Sequence, residues 1–366
     1  MSSFWGIIPA GGIGSRLWPL SRAGAPKFLL DLTGSGQTLL EATWARLEPL
    51  VTADRLLVVT GAAHTASVTE QLPELRAENL IAEPQPRDSS AAIGLAAALI
   101  LRRDPDAIIG SFAADHVIEG RILFDRAVKS AVRAAELGYI ATIGIHPTHP
   151  ATGFGYIRVA DPRPDIAPLD VYTVRKFVEK PSRPTARKYL SRGDALWNAG
   201  MFIARADVLL EQMASSQPEL VAKLNEIADA WDHPDAATVR ERLWPTLPKI
   251  AIDYTVAEPA AKLGKMMCVA GHFKWDDVGD FASVANLLSH GHANDLAVLG
   301  DDAQVLADKS SGIVVSGHQR LITVVGMRDV VVVDTPDALL VTNKEHAQDV
   351  KHLVARIRDV GTPGVL

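Results

Sequence analysis

Residues 7–30 read IIPAGGIGSRLWPLSRAGAPKFLL. An apolar run ends in Gly11, Gly12 and Gly14, and Arg16 and Lys27 follow before the chain turns apolar again. Glycine loses more backbone freedom on folding than any other residue, so three of them at a strand end imply close approach of the main chain to a ligand. Main-chain amides followed by cations suit phosphate. A P-loop would need Gly-Lys-Ser/Thr, whereas Gly14 is followed by Ser15 and Arg16. A dinucleotide fingerprint would need a third glycine where Leu17 stands. What remains is a loop facing a nucleoside triphosphate, set against a plain tight turn with solvated basic residues. In the first reading Gly11, Gly12 and Gly14 admit the phosphate oxygens. Arg16 clamps the β and γ phosphates with its planar fork, and Lys27 places a point charge beside the α-phosphate.

The surroundings of this loop give the fold class. WGIIPA, RLLVVTG (55–61), NLIAEP (79–84), AIIGSFAADH (107–116) and YIATIGIHP (139–147) read as buried strands. Helical spacing fills Thr38–Leu50, Ala63–Leu72, Ser89–Arg103 and Phe124–Leu137. Thr38 and Glu41 fit a capping box. This alternation predicts an α/β fold with a doubly wound, mostly parallel, Rossmann-like sheet. Ligands on such sheets sit beyond the C-terminal strand ends, where both the glycine loop and Asp115 fall. TGFGYIRV, VYTVRKFVEKP and WNAGMFIA then read as strands, and residues 207–262 as mostly helical. Past about Asn294 come short β segments, QVLAD, SGIVVSG, RLITVVG, DVVVVDT and ALLVTN, closed by an amphipathic helix near Glu345–Arg358. The expected division is a domain over 1–290 and a small C-terminal β domain over 291–366. A short left-handed β-helix is one form the latter can take, although no strict hexapeptide repeat shows it.

The bulk properties limit the function. The 366 residues are 48% hydrophobic and 22% charged, with a net charge of −6. That balance argues against a nucleic-acid partner. The apolar run AAIGLAAALIL (91–101) is too short to cross a bilayer. A single cysteine, Cys268, and an N-terminus without a basic, apolar leader point to the cytoplasm. No histidine shows zinc-ligand spacing with a cysteine.

AGGIGSRLWPLS with PKFLL resembles the signature of the sugar-1-phosphate nucleotidyltransferases. EPQPRDSSAAI, ADHVI, TGFGYI, FVEKP, WNAGMF, IDYTVAE, WDDVG and DVVVVDTPDALLV follow in the family's order, over most of the chain. Within the family the likeness is greatest to the branch that joins GTP to mannose 1-phosphate. The resemblance implies attack of a sugar-phosphate oxygen on the α-phosphorus of GTP, with pyrophosphate leaving. Such transfers need positioning and charge neutralisation more than a protein nucleophile.

It implies Arg16, Lys27, Asp115 and Lys180 as catalytic residues. It places the nucleotide on Ala10, Gly11, Gly12, Gly14, Arg16, Lys27, Glu83, Arg87, Asp88 and Ser89, with Glu83 accepting from guanine. It places the sugar phosphate on Gly153, Gly155, Glu179, Lys180, Asn198 and Gly200, and Mg²⁺ on Asp115 and Asp277, with Mn²⁺ able to substitute. Asp276 is a weaker metal candidate, and Asp253 and Glu258 are further candidates for the sugar site. Alternation along the strand would point Glu179 and Lys180 to opposite faces, one to sugar and one to phosphate. Family members often dimerise through the C-terminal region, which makes a homodimer the expected state.

Two positions depart from the family pattern. Asp88-Ser89 stands where Asn-Thr is usual, which removes a donor and adds a charge, and Ala113 stands where proline is common. The same chemistry on glucose or heptose 1-phosphate, or with another nucleotide, is the near alternative. An inactive sensor of GDP-sugar is the alternative of another class.

Overall fold

The structure is a computed structural model that describes residues 3–166, 170–289, 295–300, 303–361 and 363–366. The chain divides into two compact units, each discontinuous in sequence. The expected domain boundary at 290/291 lies outside the described residues.

The first unit comprises Met1–Ala10, Trp44–Ala113 and Ile118–Trp275. Its strands are β1 (Phe4–Ala10), β2 (Leu56–Gly61), β3 (Leu80–Glu83), β4 (Ile108–Ser111), β5 (Ile140–Ile145), β6 (Tyr156–Pro162), β7 (Val171–Val178), β8 (Ala195–Arg205) and β9 (Met266–Gly271). They form one sheet in the order β3-β2-β1-β4-β8-β5-β9-β7-β6. β1, β2, β3 and β4 run parallel, as do β5 and β9. β8 enters antiparallel between β4 and β5, and β6 and β7 add an antiparallel edge. The doubly wound half is therefore present, and the complete sheet is mixed. β1 lies in the parallel half with neighbours on both sides, which is why FWGIIPA is buried almost throughout.

α1 (Leu39–Leu47), α2 (Thr65–Gln71), α3 (Asp88–Arg103) and α4 (Arg121–Glu136) occupy the expected helical stretches. The capping box closes ahead of α1, with Thr38 N donating to Glu41 Oε2 at 2.7 Å and Glu41 N to Thr38 Oγ1 at 3.2 Å. The apolar run at 91–101 is the buried length of α3. It packs so closely that a Cβ on Gly94 would stand 2.7 Å from Leu224 Cδ1. The strand expected over 107–116 ends at Ser111, and the chain then turns out of the sheet toward Asp115. Among the described residues no helix is long and apolar enough to cross a membrane.

The second unit comprises Gly11–Thr43, Ala114–Val117 and Asp276–Leu366. Its C-terminal part is β10 (Leu296–Leu299), β11 (Gln304–Asp308), β12 (Gly312–Ser316), β13 (Leu321–Val325), β14 (Val330–Asp334) and β15 (Leu339–Asn343), with a terminal helix Val350–Val360. β10, β12 and β14 stack in parallel with β15 antiparallel beside them, while β11 and β13 pair in parallel on a separate sheet. The chain thus coils between two faces. At the coil's corners Gly312 has φ 130°, and a Cβ there would lie 1.9 Å from Val330 O. Leu17, Trp18, Leu32 and Leu39 from the N-terminal segment share one apolar cluster with Phe281, Ile313, Val315, Val331 and Val333.

Candidate active site

Gly11, Gly12, Gly14, Arg16, Lys27, Asp115 and Asp277, expected at the phosphates and the metal, belong to the second unit. β1 ends at Ala10, whose carbonyl accepts from Thr60 Oγ1 at 2.8 Å. In the loop beyond it Gly12 and Gly14 have φ 94° and 73°, left-handed values that glycine adopts without steric cost. Gly14 is doubly constrained, because a Cβ there would meet Lys27 Cβ at 2.9 Å. A tight turn, Ser15–Leu17, follows, and Ser21 Oγ donates to Ile13 O. Arg16 Nε is buried and has no hydrogen-bond partner among the described residues.

Lys27 is 7% exposed. Its Nζ lies 2.7 Å from Asp115 Oδ2 and donates to the main-chain oxygens of Asp277, at 2.5 Å, and Val278. Burial disfavours the charged form of Asp115, but the charges of Lys27 and His116 and the hydrogen bond from Lys27 outweigh it, leaving this carboxyl below its usual range. Asp277 is pushed up to about 6, first by burial and then by the charges of Asp276 and Asp115, with Lys27 opposing. Asp276 Oδ1 accepts from Val278 N at 2.7 Å, and Asp280 caps the helix Phe281–Leu288. That leaves Asp277 without a side-chain hydrogen bond among the described residues, close enough to Asp115 for the two to repel. Two hard oxygen donors in that relation fit a divalent cation completed by phosphate and water. No ready-made cage of three or more such side chains exists among the described residues.

The expected base-reading residues lie in the first unit, at the end of β3. Glu83 is 8% exposed, and its Oε1 is buried without a partner among the described residues. Burial, with the charge of Asp88 adding, pushes it up to about 7. The neighbours are already engaged. Arg87 donates to Leu247 O at 3.0 Å and Pro245 O at 2.6 Å, and Ser89 Oγ accepts from Ile252 N at 2.9 Å. Asp88 opens α3 at φ 67°, its Oδ1 turned onto Ser89 N at 2.7 Å.

The raised Glu83 carboxyl sets a pH dependence. It holds a proton more tightly folded than unfolded, so its contribution is complete below the unfolded pKa of 4.5 and is lost as pH rises through about 7. Glu83→Gln in the nucleotide-free protein is therefore expected to raise Tm over wild type at pH 8 and leave it unchanged at pH 5. The pKa displacement corresponds to roughly 3 kcal/mol. Thermal melts across pH 5–8 check this, and parallel curves would refute it.

The expected sugar-phosphate residues also lie in the first unit. β7 stops at Val178, so Glu179 and Lys180 do not take opposite faces of a strand as expected. Lys180 turns into the left-handed region, φ 43°, and its Nζ returns to 2.9 Å from Glu179 Oε1. Glu179 is nearly buried and Lys180 is exposed. A Cβ on Gly155 would lie 2.7 Å from Glu179 Oε2, while Gly153 has open space. Asn198 on β8 is 7% exposed. Its Oδ1 accepts from Thr142 Oγ1 at 2.9 Å and Gly200 N at 3.2 Å, and its Nδ2 donates to Asp253 Oδ1 at 3.0 Å. Gly200 has φ 68°. Asp253 thus joins this group, whereas Glu258 makes no hydrogen bond to it among the described residues. The spacing of Asp253 from Asn198, 55 residues, hides that link from a reading of motifs.

The nucleotidyl transferase family matches residues 5–293, and the chain belongs to that family. A second match, to the MannoseP isomerase/GMP-like beta-helix domain, covers residues 303–357. The chain is 37% identical over 361 residues to the mannose-1-phosphate guanylyltransferase ManC of Salmonella typhimurium, covering 97% of this chain and 73% of that protein. It is 37% identical over 366 residues to the mannose-1-phosphate guanylyltransferase of Escherichia coli, covering 98% and 74%. A crystal structure from Thermus thermophilus, described as a mannose-1-phosphate geranyltransferase, superposes with a TM-score of 0.85 at 30% identity, over 97% of this chain and 99% of that one.

Proposed function

We propose that this protein transfers GMP from GTP to α-D-mannose 1-phosphate, giving GDP-mannose and pyrophosphate. The arrangement of Lys27, with its ammonium buried between Asp115 and the main chain at Asp277, carries the reading of phosphoryl chemistry. The likeness of nearly the whole chain to 73% and 74% of two guanylyltransferases supports the choice of nucleotide and sugar.

In this reading the sugar-phosphate oxygen forms a bond to the α-phosphorus, and the bond from that phosphorus to the bridging oxygen breaks, releasing pyrophosphate. Loop amides at Gly11, Gly12 and Gly14 hold the triphosphate. Arg16 supplies two parallel donors to the leaving phosphates, and Lys27 neutralises charge gathering at the α-phosphate. Asp115 and Asp277 would hold Mg²⁺, or Mn²⁺ in its place, and such an ion when bound supplies further positive charge to the phosphate oxygens. Glu83 accepts from the guanine N1 and N2 protons, and Lys180 faces the sugar phosphate. Residues 1–290 form the catalytic part and 291–366 the β domain, through which two copies associate in the cytoplasm.

Pyrophosphate release, measured with Mg²⁺ over four nucleoside triphosphates and several sugar 1-phosphates, tests this. A sharp maximum is expected at GTP with mannose 1-phosphate. A maximum elsewhere would overturn the specificity, and binding of GDP-mannose without any release would overturn the reaction.

A further inference from the structure

We propose that Asp253 reads the sugar hydroxyls together with Glu179, and that Asn198, the apparent hydroxyl reader, is instead the positioning residue for Asp253. The inference rests on the reading of the protein as a sugar-1-phosphate nucleotidyltransferase.

The amide of Asn198 has no freedom of orientation. Its Oδ1 takes two donors, Thr142 Oγ1 and Gly200 N, so its Nδ2 must face Asp253. That donor fixes one oxygen of Asp253. The other, Oδ2, has no side-chain hydrogen-bond partner among the described residues. Glu179 is in the matching situation. Lys180 occupies Oε1, and Oε2 packs against Gly155 beside the Asn198 side chain, where a Cβ would lie 2.7 Å from it. Two carboxylates, each with one oxygen that has no side-chain donor among the described residues, thus flank Asn198, and any residue larger than glycine at 155 would collide with Glu179 Oε2.

The electrostatics agree with that geometry. Burial first, and then the charge of Glu179, push Asp253 up to about 7, with Lys180 opposing. A fold that keeps two carboxylates in mutual repulsion on either side of Asn198 suits a ligand rich in neutral O–H donors. A pair of neighbouring sugar hydroxyls satisfies one oxygen each, and a site built to accept such donors discriminates strongly against analogues that misplace them. An anion would be repelled from this spot, while exposed Lys180 beside it offers the charge that a sugar phosphate needs.

The backbone carrying Asp253 is held accordingly. Asp253–Ala257 is a π-helical turn, a form that recurs at functional sites. Ser89 accepts from Ile252 N at 2.9 Å, Ser90 and Thr255 share a hydroxyl hydrogen bond of 2.8 Å, and Ser216 donates to Thr255 O at 2.7 Å. Ser89, expected at the nucleotide, thus helps to fix the turn that carries Asp253.

The test uses full-length protein with Asp253→Asn, Asp253→Ala, Asn198→Ala and the double alanine variant. Calorimetric affinities for GDP-mannose and for GDP are compared, with KM and kcat for GTP and mannose 1-phosphate and a melt for each variant. Asp253→Asn is expected to weaken GDP-mannose at least tenfold with GDP unchanged. It should also raise KM for mannose 1-phosphate at least tenfold with KM for GTP within twofold, and narrow the preference over the 2-epimer, glucose 1-phosphate. Asn198→Ala is expected to do the same more weakly, and to add less than twofold to Asp253→Ala. Equal loss of GDP-mannose and GDP, no loss of either, or additive alanine effects would each overturn the proposal. Failure of wild type to release pyrophosphate would strike the proposed reaction alone, because the contrast between GDP-mannose and GDP needs no turnover.

Discussion

Lys27→Met is expected to lower kcat for pyrophosphate release about a thousandfold, the scale at which removing one preorganised charge at a developing oxyanion is felt. Methionine keeps the length and apolar body of the side chain, so the buried stem keeps its packing. What disappears is the ammonium, and with it three interactions, to Asp115 Oδ2 and to the main-chain oxygens of Asp277 and Val278. The loss propagates to the carboxylates. Asp115 is held below its usual range against burial chiefly by Lys27, and Lys27 also opposes the upward displacement of Asp277. Without it both carboxyls move up, toward the protonated form that neither accepts phosphate-bound cations nor repels its neighbour. Removing one partner of a buried pair is also costly to the fold, so Tm is expected to fall. Steady-state kinetics with saturating substrates at temperatures well below the variant's melt separate the effects. A kcat within tenfold of wild type would refute the assignment of Lys27 to the reaction.

The glycine loop is legible in the sequence because its chemistry is local. Gly11, Gly12, Gly14, Arg16 and Lys27 lie within 17 residues, and the structure gives Gly12 and Gly14 the left-handed backbone that only glycine takes freely. The capping box of Thr38 and Glu41 is local for the same reason. The parallel half of the sheet follows from strand–helix alternation. The place of β8 does not, because its neighbours β4 and β5 lie far before it in the chain and no pattern within WNAGMFIA names them. The residue environments escape the sequence in a different way. Arg87 and Ser89 sit in the motif expected at the nucleotide, yet their hydrogen bonds run to Leu247, Pro245 and Ile252, partners that sequence proximity cannot supply. Strand alternation assigns opposite faces to Glu179 and Lys180, and the turn at Lys180 suspends it. The coil of β10 to β14 has no hexapeptide signature because its turns differ in length. Leu296 stands beside Gly312 and Gly312 beside Val330, so the spacing changes from one turn to the next.

Residues 1–289 expressed alone are expected to show no measurable turnover, although they contain every residue assigned to the reaction. Leu17, just after the glycine loop, and Leu32 and Leu39, beyond Lys27, are at most 1% exposed, and they share their apolar cluster with Ile313, Val315, Val331 and Val333. Each fully buried leucine contributes about 1.5–3 kcal/mol. Stripping three of them of much of their cover therefore removes several kcal/mol, a large fraction of the roughly 5–15 kcal/mol that holds a typical domain folded. Polar ties go with the apolar ones. Trp18 Nε1 donates to Val365 O at 2.7 Å, and Arg22 grips Asp337 with both Nη atoms, at 2.7 and 2.6 Å, while its Nε reaches back to Pro19 O. That fork holds the Asp337 carboxyl down at about 2. The sheet of the first unit has a core of its own, so the truncated chain is expected to keep β-sheet and helical circular dichroism. The loop segment should instead become open to protease, with first cleavage between Gly11 and Thr43. Asp337→Ala in the full chain is the milder form of the same experiment, expected to raise KM for GTP severalfold while Tm changes little. A truncated chain that turns over within tenfold of the full protein, with residues 11–43 still resistant, would show that the glycine loop needs no support from the C-terminal strands.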